Sequence, residues 1–291
     1  MLVLDFDGTL SDAEKEGVPF RDGYLADLAA ICNADVLDVL TLADRLERQI
    51  DPQRDGWEYN GLIVAPATVD PYLRIMPVAK LILSHFGVFT QDPDARTRLL
   101  DRVLYKYNYP KTRIVFREGA FDFLQAVRSF GGYVVTNSAT DHVRTKIRAL
   151  GGGDAVLTST VAVHNGPLEW LAGRVHGDAK KYVVRNDWDT DIPEGMGIPG
   201  LDRPVLLRRP HYYDVLRGIL DIGRDRWEDL VVFGDIFELD LALPLHMGAR
   251  VILHANEHTP PYELAFLDQH PRAHVVRDLY AALHIIRRLH P

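Results

Sequence analysis

Short apolar runs alternate with helix-like segments through the second part of the chain, from about Arg117 onward. The runs are rich in β-branched residues, as buried strands are, and the intervening segments space their apolar residues at threes and fours, as helices do. Strands that alternate with helices pair in parallel, and helices cover both faces of their sheet. We therefore predict an α/β domain on a parallel sheet, whose strands lie in YVVTN, VLLRR, DLVVFGD, ARVILHA and AHVVRDL.

One more predicted strand, residues 2–4, precedes two carboxylates in the stretch LVLDFDGTLSD. In an extended chain Asp5 and Asp7 lie on the same side, because side chains alternate along a strand. Like charges so close repel each other unless a cation lies between them or one carboxyl keeps its proton. Gly8 and Thr9 follow in a turn that can approach a ligand closely. The stretch therefore predicts a functional site.

The chain from Asp12 to about Arg117 has the apolar spacing of helices, and we expect no sheet there. The stretch DPQRDGWEYNGLIVAPATVDP inside it is rich in turn formers and predicts a long loop. We expect a discontinuous α/β core, residues 1–14 and 116–291, and a helical insertion, residues 15–115. The segment from about Val161 to Arg203 is expected to extend the core, with a hairpin.

Composition and charge exclude several classes of protein. The chain has 291 residues, 47% of them hydrophobic, and a net charge of -8, which disfavours binding to nucleic acids or anionic membranes because both need a positive surface. The single cysteine, Cys32, allows no intramolecular disulfide. No apolar segment approaches the roughly 20 residues that span a bilayer, and the first strand follows Met1 too closely for a signal peptide. We expect a cytoplasmic protein, whose oligomeric state the sequence leaves open.

Polar groups follow two other predicted strands. Thr136, Asn137 and Ser138 come at the start of a predicted helix, with Ser138 as its cap, and their hydroxyl, amide and backbone N–H groups favour a phosphate. Ligands of an open parallel sheet bind at the carboxyl ends of its strands, so we expect the polar groups to converge there. The residues after the other strand, DLVVFGD, are acidic: Asp235 ends that stretch, and Glu238 and Asp240 lie just beyond it.

Converging carboxylates favour a hard cation with oxygen ligands, and Mg²⁺ beside a phosphate is the usual case. In such a site a carboxylate can attack phosphorus and split one difficult transfer into two easier ones. A neighbouring carboxyl can protonate the leaving oxygen and later accept a proton from water. The sequence thus favours phosphoryl transfer on a small phosphorylated metabolite.

Three motifs resemble a known family in their order along the chain. DFDGTLSD at 5–12, VVTN at 134–137 and VVFGDIFELD at 231–240 resemble the first, second and fourth motifs of the haloacid dehalogenase (HAD) superfamily. The resemblance implies a HAD-like Rossmannoid parallel sheet with helices on both faces, plus a helical cap inserted between the first and second motifs. It also implies a Mg²⁺-dependent phosphatase that forms an aspartyl phosphate.

The resemblance also implies a role for each matching residue. Asp5 would be the nucleophile and a metal ligand, and Asp7 would be the acid and base, with a main-chain oxygen on the metal. Thr136, with Asn137 beside it, would bind the transferred phosphoryl group. The remaining acidic residues would serve the metal, Asp235 as a ligand, Asp240 as its support and Glu238 as a further contributor.

The third motif of the family is a lysine that neutralises nucleophile and phosphate, often immediately before a proline. Here Arg209 occupies that place before Pro210, and GDAKKY offers Lys180 or Lys181 instead. We expect Lys180 to take the role, with Arg209 acting mainly on binding.

Other functions stay open at this point. A non-catalytic HAD-like binding protein is supported by the missing lysine before Pro210, and a sugar-phosphate mutase would use the same carboxylates. A dehalogenase is disfavoured, because Asp7 would have no leaving oxygen to protonate. The loop at Trp57, Glu58, Tyr59 and Asn60 offers side chains that can contact a leaving group.

Overall fold

A computed structural model describes residues 1–107, 114–152, 166–224 and 226–289 of the protein. The expectations for residues 161–165 lie outside the described residues. The strands, in chain order, are β1 (Leu2–Leu4), β2 (Gly56–Tyr59), β3 (Leu62–Pro66), β4 (Gly132–Val135), β5 (Val175–His176), β6 (Gly195–Met196), β7 (Val205–Leu206), β8 (Val231–Gly234), β9 (Arg250–His254) and β10 (Ala273–Val276).

The α-helices alternate with these strands along the chain and form most of the insertion. In chain order they are α1 (Ala13–Cys32), α2 (Val36–Glu47), α3 (Pro71–His85), α4 (Pro93–Tyr107), α5 (Ala120–Val127), α6 (Thr140–Gly152), α7 (Glu169–Ala172), α8 (Pro210–Gly223), α9 (Ala242–His246), α10 (Pro261–Gln269) and α11 (Leu279–Leu289). Within the described part of the chain, no helix combines the length and apolar character that crossing a membrane requires.

Six parallel strands form the main sheet in the order β10-β9-β8-β1-β4-β5, which confirms the predicted α/β class. The central strand β1 pairs with β4 on one side and β8 on the other. Its side chains alternate between two apolar layers: Val3 belongs to one, and Leu2 and Leu4 belong to the other. Both faces of the sheet are therefore buried, which explains why its strands are apolar throughout.

Two details of the predicted sheet were wrong. The run VLLRR does not join the parallel sheet, because β7 pairs antiparallel with β6 in a separate two-stranded sheet. The edge strand β5 was missed, since two residues are too few to give a periodic signal. Pro210 begins α8, in a first position where its missing N–H is not needed.

The prediction that the insertion lacks a sheet was also wrong. Strands β2 and β3 form a two-stranded sheet inside the stretch that we expected to be a loop. Asn60 and Gly61 join them, both with positive φ, as a two-residue hairpin turn requires. The Asn-Gly pair was therefore a signal for this hairpin that the sequence contained.

The helices predicted in the insertion are present, and they pack around an apolar cluster of their own. Helices α1 to α4 supply that cluster, with Phe20, Tyr24 and Ile75 among its buried members. Asp70 caps α3, because its carboxylate accepts hydrogen bonds from the backbone N–H groups of Tyr72 and Leu73.

The chain divides into two compact units. The first contains Met1–Asp12, Tyr59–Ala65 and Phe116–Pro291, and the second contains Ala13–Glu58 and Pro66–Val115. The segment Tyr59–Ala65, which the sequence assigned to the insertion, thus groups with the sheet. The polar residues that follow the strands all belong to the first unit.

Glu263 is a fully buried acid at the start of α10. Within the described residues, neither of its carboxyl oxygens has a hydrogen-bond partner. The nearby Glu238 is also buried, but both of its oxygens accept hydrogen bonds from Arg203, at 2.8 and 2.7 Å. Burial and the charge of Glu238 raise the pKa of Glu263 well above its usual range. The folded chain therefore holds a proton there that the unfolded chain releases.

This proton predicts a pH dependence of stability. As pH rises above about 4.3, the unfolded pKa of a glutamate, the folded state binds more protons at Glu263 than the unfolded state, so the free energy of unfolding falls. Glu263→Gln removes this contribution, and its urea-unfolding free energy should fall less than that of the wild type between about pH 5 and about pH 8. Glu257→Gln is the control, because that carboxylate is 85% exposed. Equal slopes for the two variants would contradict the prediction.

Candidate active site

Three buried carboxylates meet at the carboxyl ends of the central strands β1 and β8. Asp5 follows β1 directly, Asp235 follows β8, and Asp240 lies in the π-helical turn Phe237–Leu241. One oxygen of each lies within 4.8 Å of the others, and all three side chains are buried. The topology brings these residues together because β1 and β8 are parallel neighbours, and Asp5 N–H still donates to the carbonyl of Phe233 at 2.8 Å.

Lys181 is the cation of this cluster. Its Nζ donates to Asp5 Oδ1 at 2.7 Å and to Asp240 Oδ1 at 2.8 Å, and the residue is only 1% exposed. The sequence favoured Lys180 as the lysine beside Asp5, and the geometry corrects this choice. Lys180 is exposed and has a φ of 46°, whereas Lys181 enters the cluster.

The loop before Lys181 is held closely against the loop after β4. Asp178 and Ala179 donate backbone hydrogen bonds to the carbonyls of Ser138 and Thr136 at 2.9 and 3.0 Å. A Cβ on Gly177 would lie 2.4 Å from the backbone nitrogen of Thr140, so only glycine fits. The side-chain oxygen of Asn137 accepts from Lys181 N–H at 2.7 Å, which means that Asn137 positions the lysine through its backbone.

Arg209 lies behind Lys181, and the structure places it on main-chain carbonyls. Its guanidinium is completely buried and donates to the carbonyls of Leu206 at 3.0 Å, Val64 at 2.9 Å and Lys181. Burial lowers the pKa of Arg209 to about 10, although Glu238 and Asp240 act against that effect. The sequence placed Arg209 where the family has its third-motif lysine and expected it to act mainly on binding. In the structure its guanidinium instead fixes the backbone that carries Lys181.

The charges of the cluster do not balance. Burial raises the pKa of Asp5 to about 7, although the ammonium of Lys181 acts to lower it. Burial acts to lower the pKa of Lys181, but Asp240 and Asp5 outweigh it, so that its pKa is raised.

Thr9 Oγ1 lies 3.2 Å from Asp5 Oδ2 and 3.1 Å from Asp235 Oδ1, and its hydroxyl has one proton to share between these two acceptors. Three carboxylates thus lie beside one ammonium, which leaves negative charge in excess. Their oxygens are the type of ligand that Mg²⁺ binds.

The turn after β1 depends on Gly8. Its φ is +80°, and an added Cβ would lie 2.0 Å from Asp235 Oδ2. Arg117 donates from Nε and Nη2 to the Gly8 carbonyl at 2.8 and 2.6 Å, which holds the turn from the opposite side. Gly8 therefore permits the close approach of the two acidic strand ends.

Asp7 lies beside the cluster and has partners of its own. Its Oδ2 accepts from Ser138 Oγ at 2.6 Å, with Thr136 Oγ1 at 3.5 Å, and its Oδ1 accepts from Lys146 Nζ at 3.1 Å. Ser138 was expected to cap the following helix, but α6 begins at Thr140 and the Ser138 hydroxyl points to Asp7 instead.

Sequence reasoning missed Lys146 entirely. The residue is buried on the face of α6 that also buries Val143 and Ile147. A lysine at the buried spacing of an amphipathic helix is unusual, because a buried ammonium needs a partner. That spacing was the available signal. Glu238, in contrast, was expected to serve the metal, and its pairing with Arg203 leaves it outside the carboxylate trio.

No protein-family model matches the sequence, and no curated protein matches it. Solved structures match over nearly the whole chain. A predicted phosphoglycolate phosphatase from Haemophilus somnus 129PT is similar at a TM-score of 0.50 and 12% identity, over 98% of this chain and 97% of that chain.

Two further structures have lower TM-scores. The HAD-hydrolase candidate YfnB from Bacillus subtilis, bound to magnesium, has a TM-score of 0.48 and 15% identity, over 98% of this chain and 97% of that one. A 2-haloacid dehalogenase from Pseudomonas syringae pv. tomato DC3000 has a TM-score of 0.42 and 16% identity, over 99% and 97%. The chain has the fold of the haloacid dehalogenase-like hydrolases, which confirms the resemblance at the level of fold.

The contact between Gly8 and Asp235 yields a stability prediction. Gly8→Ala should lower the free energy of unfolding by about 3 kcal/mol, because it adds a side-chain clash to the strain of a positive φ. Gly61→Ala is a matched control: its φ is +76°, and nothing lies within 4 Å of an added Cβ. It should lose only about 1 kcal/mol, the cost of the backbone strain. Urea unfolding of the two variants measures the difference, and equal losses would contradict the role of Asp235.

Proposed function

We propose that the protein is a Mg²⁺-dependent phosphohydrolase that acts on a small phosphomonoester through an aspartyl phosphate on Asp5. The observation that carries the proposal is the contact of Lys181 with both Asp5 and Asp240, in a buried cluster with Asp235. A buried ammonium that holds a carboxylate at a strand end fits a nucleophile aimed at an anionic group. The HAD-like fold, which structures of phosphatases and dehalogenases share, supports a hydrolase of this kind.

The reaction would use Asp5 and Asp7 in turn. A carboxylate oxygen of Asp5 forms the new bond to phosphorus while the bond to the ester oxygen breaks, and Asp7 gives that oxygen its proton. Asp7 then takes a proton from the water that attacks the aspartyl phosphate, which releases inorganic phosphate and restores Asp5. The Thr136 hydroxyl, which lies 3.5 Å from Asp7 Oδ2, would donate to a phosphoryl oxygen.

The metal would be held by Asp5 and Asp235, with Asp240 supporting the site and, on the family resemblance, a main-chain oxygen of Asp7. Bound Mg²⁺ would offset negative charge on the phosphoryl oxygens. Lys181 keeps Asp5 in one orientation and would offset the repulsion between its carboxylate and an incoming anionic phosphoryl group. Thr9 holds the second oxygen of Asp5 near Asp235, so that both carboxylates keep fixed positions.

The rival functions are weighed by the same contacts. The hypothesis of a non-catalytic binding protein was supported by the missing third-motif lysine. That support is weakened, because Lys181 contacts Asp5, the proposed nucleophile. A dehalogenase has no leaving oxygen to protonate, whereas Asp7 is held beside the cluster by Ser138 and Lys146. A sugar-phosphate mutase would share the first transfer and would return the phosphoryl group to a sugar rather than to water.

The proposal predicts magnesium-dependent hydrolysis of an aryl phosphate by the wild type. Asp5→Asn should reduce turnover at least about a hundredfold, because the amide is a poor nucleophile of nearly the same shape. Asp187→Asn is the control, since that side chain is 72% exposed. Release of halide from a 2-haloacid, with no phosphate released from the ester, would refute the phosphatase and favour a dehalogenase.

The two adjacent lysines offer a sharper comparison. Lys181→Met should lower turnover about a hundredfold, which corresponds to about 2.7 kcal/mol of lost transition-state stabilisation. Lys180→Met removes the same charge from the neighbouring, exposed position and should change turnover less than about threefold. Thermal melting of both variants checks that they are folded. The reverse ranking would return the role to Lys180.

A further inference from the structure

The two carboxylates of the first motif have separate cations. Lys181 contacts Asp5, and Lys146, from helix α6, contacts Asp7 at 3.1 Å. Ser138 donates to the other oxygen of Asp7 at 2.6 Å. Each oxygen of the Asp7 carboxyl therefore has its own partner, and two contacts from different elements fix the orientation of the group.

We infer that Lys146 and Ser138 are positioning residues that orient Asp7 for proton transfer to the leaving oxygen, an inference that rests on the proposed phosphatase function. The Asp7 side chain is 29% exposed and would otherwise be free to rotate toward solvent. Lys146 is rigid by comparison: it is buried, its ammonium lies 5.6 Å from the centre of the Phe6 ring, and its helix is packed into the core through Val143.

The chemistry of the two partners decides which oxygen of Asp7 carries the proton. An ammonium has only donors, so Oδ1, which faces Lys146, must accept in either protonation state of Asp7. A hydroxyl can both donate and accept, so Ser138 can donate to the carboxylate and accept from the carboxylic acid. Oδ2, which also lies 3.5 Å from Thr136 Oγ1, is therefore the oxygen of Asp7 that can give or receive a proton.

This assignment accounts for both halves of the reaction. When Asp7 protonates the leaving oxygen, the proton departs from Oδ2, on the side of the residue proposed to bind the phosphoryl group. When Asp7 takes a proton from water, the same oxygen receives it. Lys146 stays bonded to Oδ1 throughout, so the carboxyl does not need to rotate between the two steps.

The test compares two esters that differ in their need for an acid. An alkyl phosphate has a poor leaving group that requires protonation, whereas a nitrophenyl phosphate leaves without it. Lys146→Met should lower kcat/KM, which reports the step that breaks the ester bond, at least about tenfold more for the alkyl ester than for the nitrophenyl ester, and Lys146→Arg should restore part of the loss. Lys80→Met removes the same charge from an exposed position of α3 and serves as control. Equal losses for both esters, or no loss, would overturn the inference.

A double-mutant comparison separates positioning from a general structural effect. If Lys146 acts through Asp7, then Asp7→Asn with Lys146→Met should be no slower than Asp7→Asn alone. Losses that add would overturn the inference, because they would give Lys146 an independent role. The same measurements on the wild type test the proposed function first, since absence of turnover on both esters refutes it.

A readout without turnover tests the positioning in either case. Crystal structures of the wild type and of a Ser138→Ala, Lys146→Met double variant should differ in the Asp7 side chain, which should leave its single orientation in the variant. Thermal melting establishes that the variant is folded. An Asp7 carboxyl in an unchanged position would overturn the inference even if the protein hydrolyses neither ester.

Discussion

The candidate site depends on a buried ammonium between two carboxylates. Lys181 holds Asp5 and Asp240 at hydrogen-bond distance, and all three are almost completely removed from water. Charged groups in such surroundings are stable only when they are paired and hydrogen-bonded, so removal of one partner leaves an uncompensated charge. Lys181 is therefore required for the stability of the buried cluster, in addition to any part in its chemistry.

Two residues of the first unit hold the backbone of that lysine. Its backbone is fixed from one side by Asn137, which accepts from its N–H, and from the other by Arg209, which donates to its carbonyl. Arg209 also donates to the carbonyl of Val64, and the ring of Tyr59 packs edge-on against Tyr182 at 5.5 Å. The segment Tyr59–Ala65 and Lys181 thus both accept a hydrogen bond from the same buried guanidinium.

The sequence was sufficient for five of the six strands of the main sheet and for the carboxylates, because both follow from local patterns. Apolar runs predicted β1, β4, β8, β9 and β10, and parallel pairing then carries Asp5 and Asp235 to one edge. The hairpin of β2 and β3 was also within reach, since Asn60 and Gly61 supply the two positive φ values that its turn needs.

The choice of lysine was beyond the reach of the sequence. Asp178 and Lys180 both adopt positive φ, which non-glycine residues rarely do, and this backbone path turns Lys181 inward while Lys180 faces solvent. Gly177 permits the close approach of the two loops, but the path itself results from hydrogen bonds to the loop after β4, which the letters GDAKKY do not reveal. Lys146 was missed for a different reason. Its partner Asp7 lies 139 residues earlier in the chain, so only the folded structure reveals the pair.

The separate lysines resolve the electrostatic difficulty of the first motif. Asp5, Asp7, Asp235 and Asp240 bring four formal negative charges, and Lys146 and Lys181 offset two of them. One divalent cation would neutralise the remainder before substrate arrives, so that an anionic phosphate would meet a site without net repulsion. The two ammoniums do not replace each other in this arrangement, because each lies on a different carboxyl. Asp5 keeps an oxygen turned toward Thr9, which also lies beside Asp235, while Asp7 keeps its second oxygen toward Ser138.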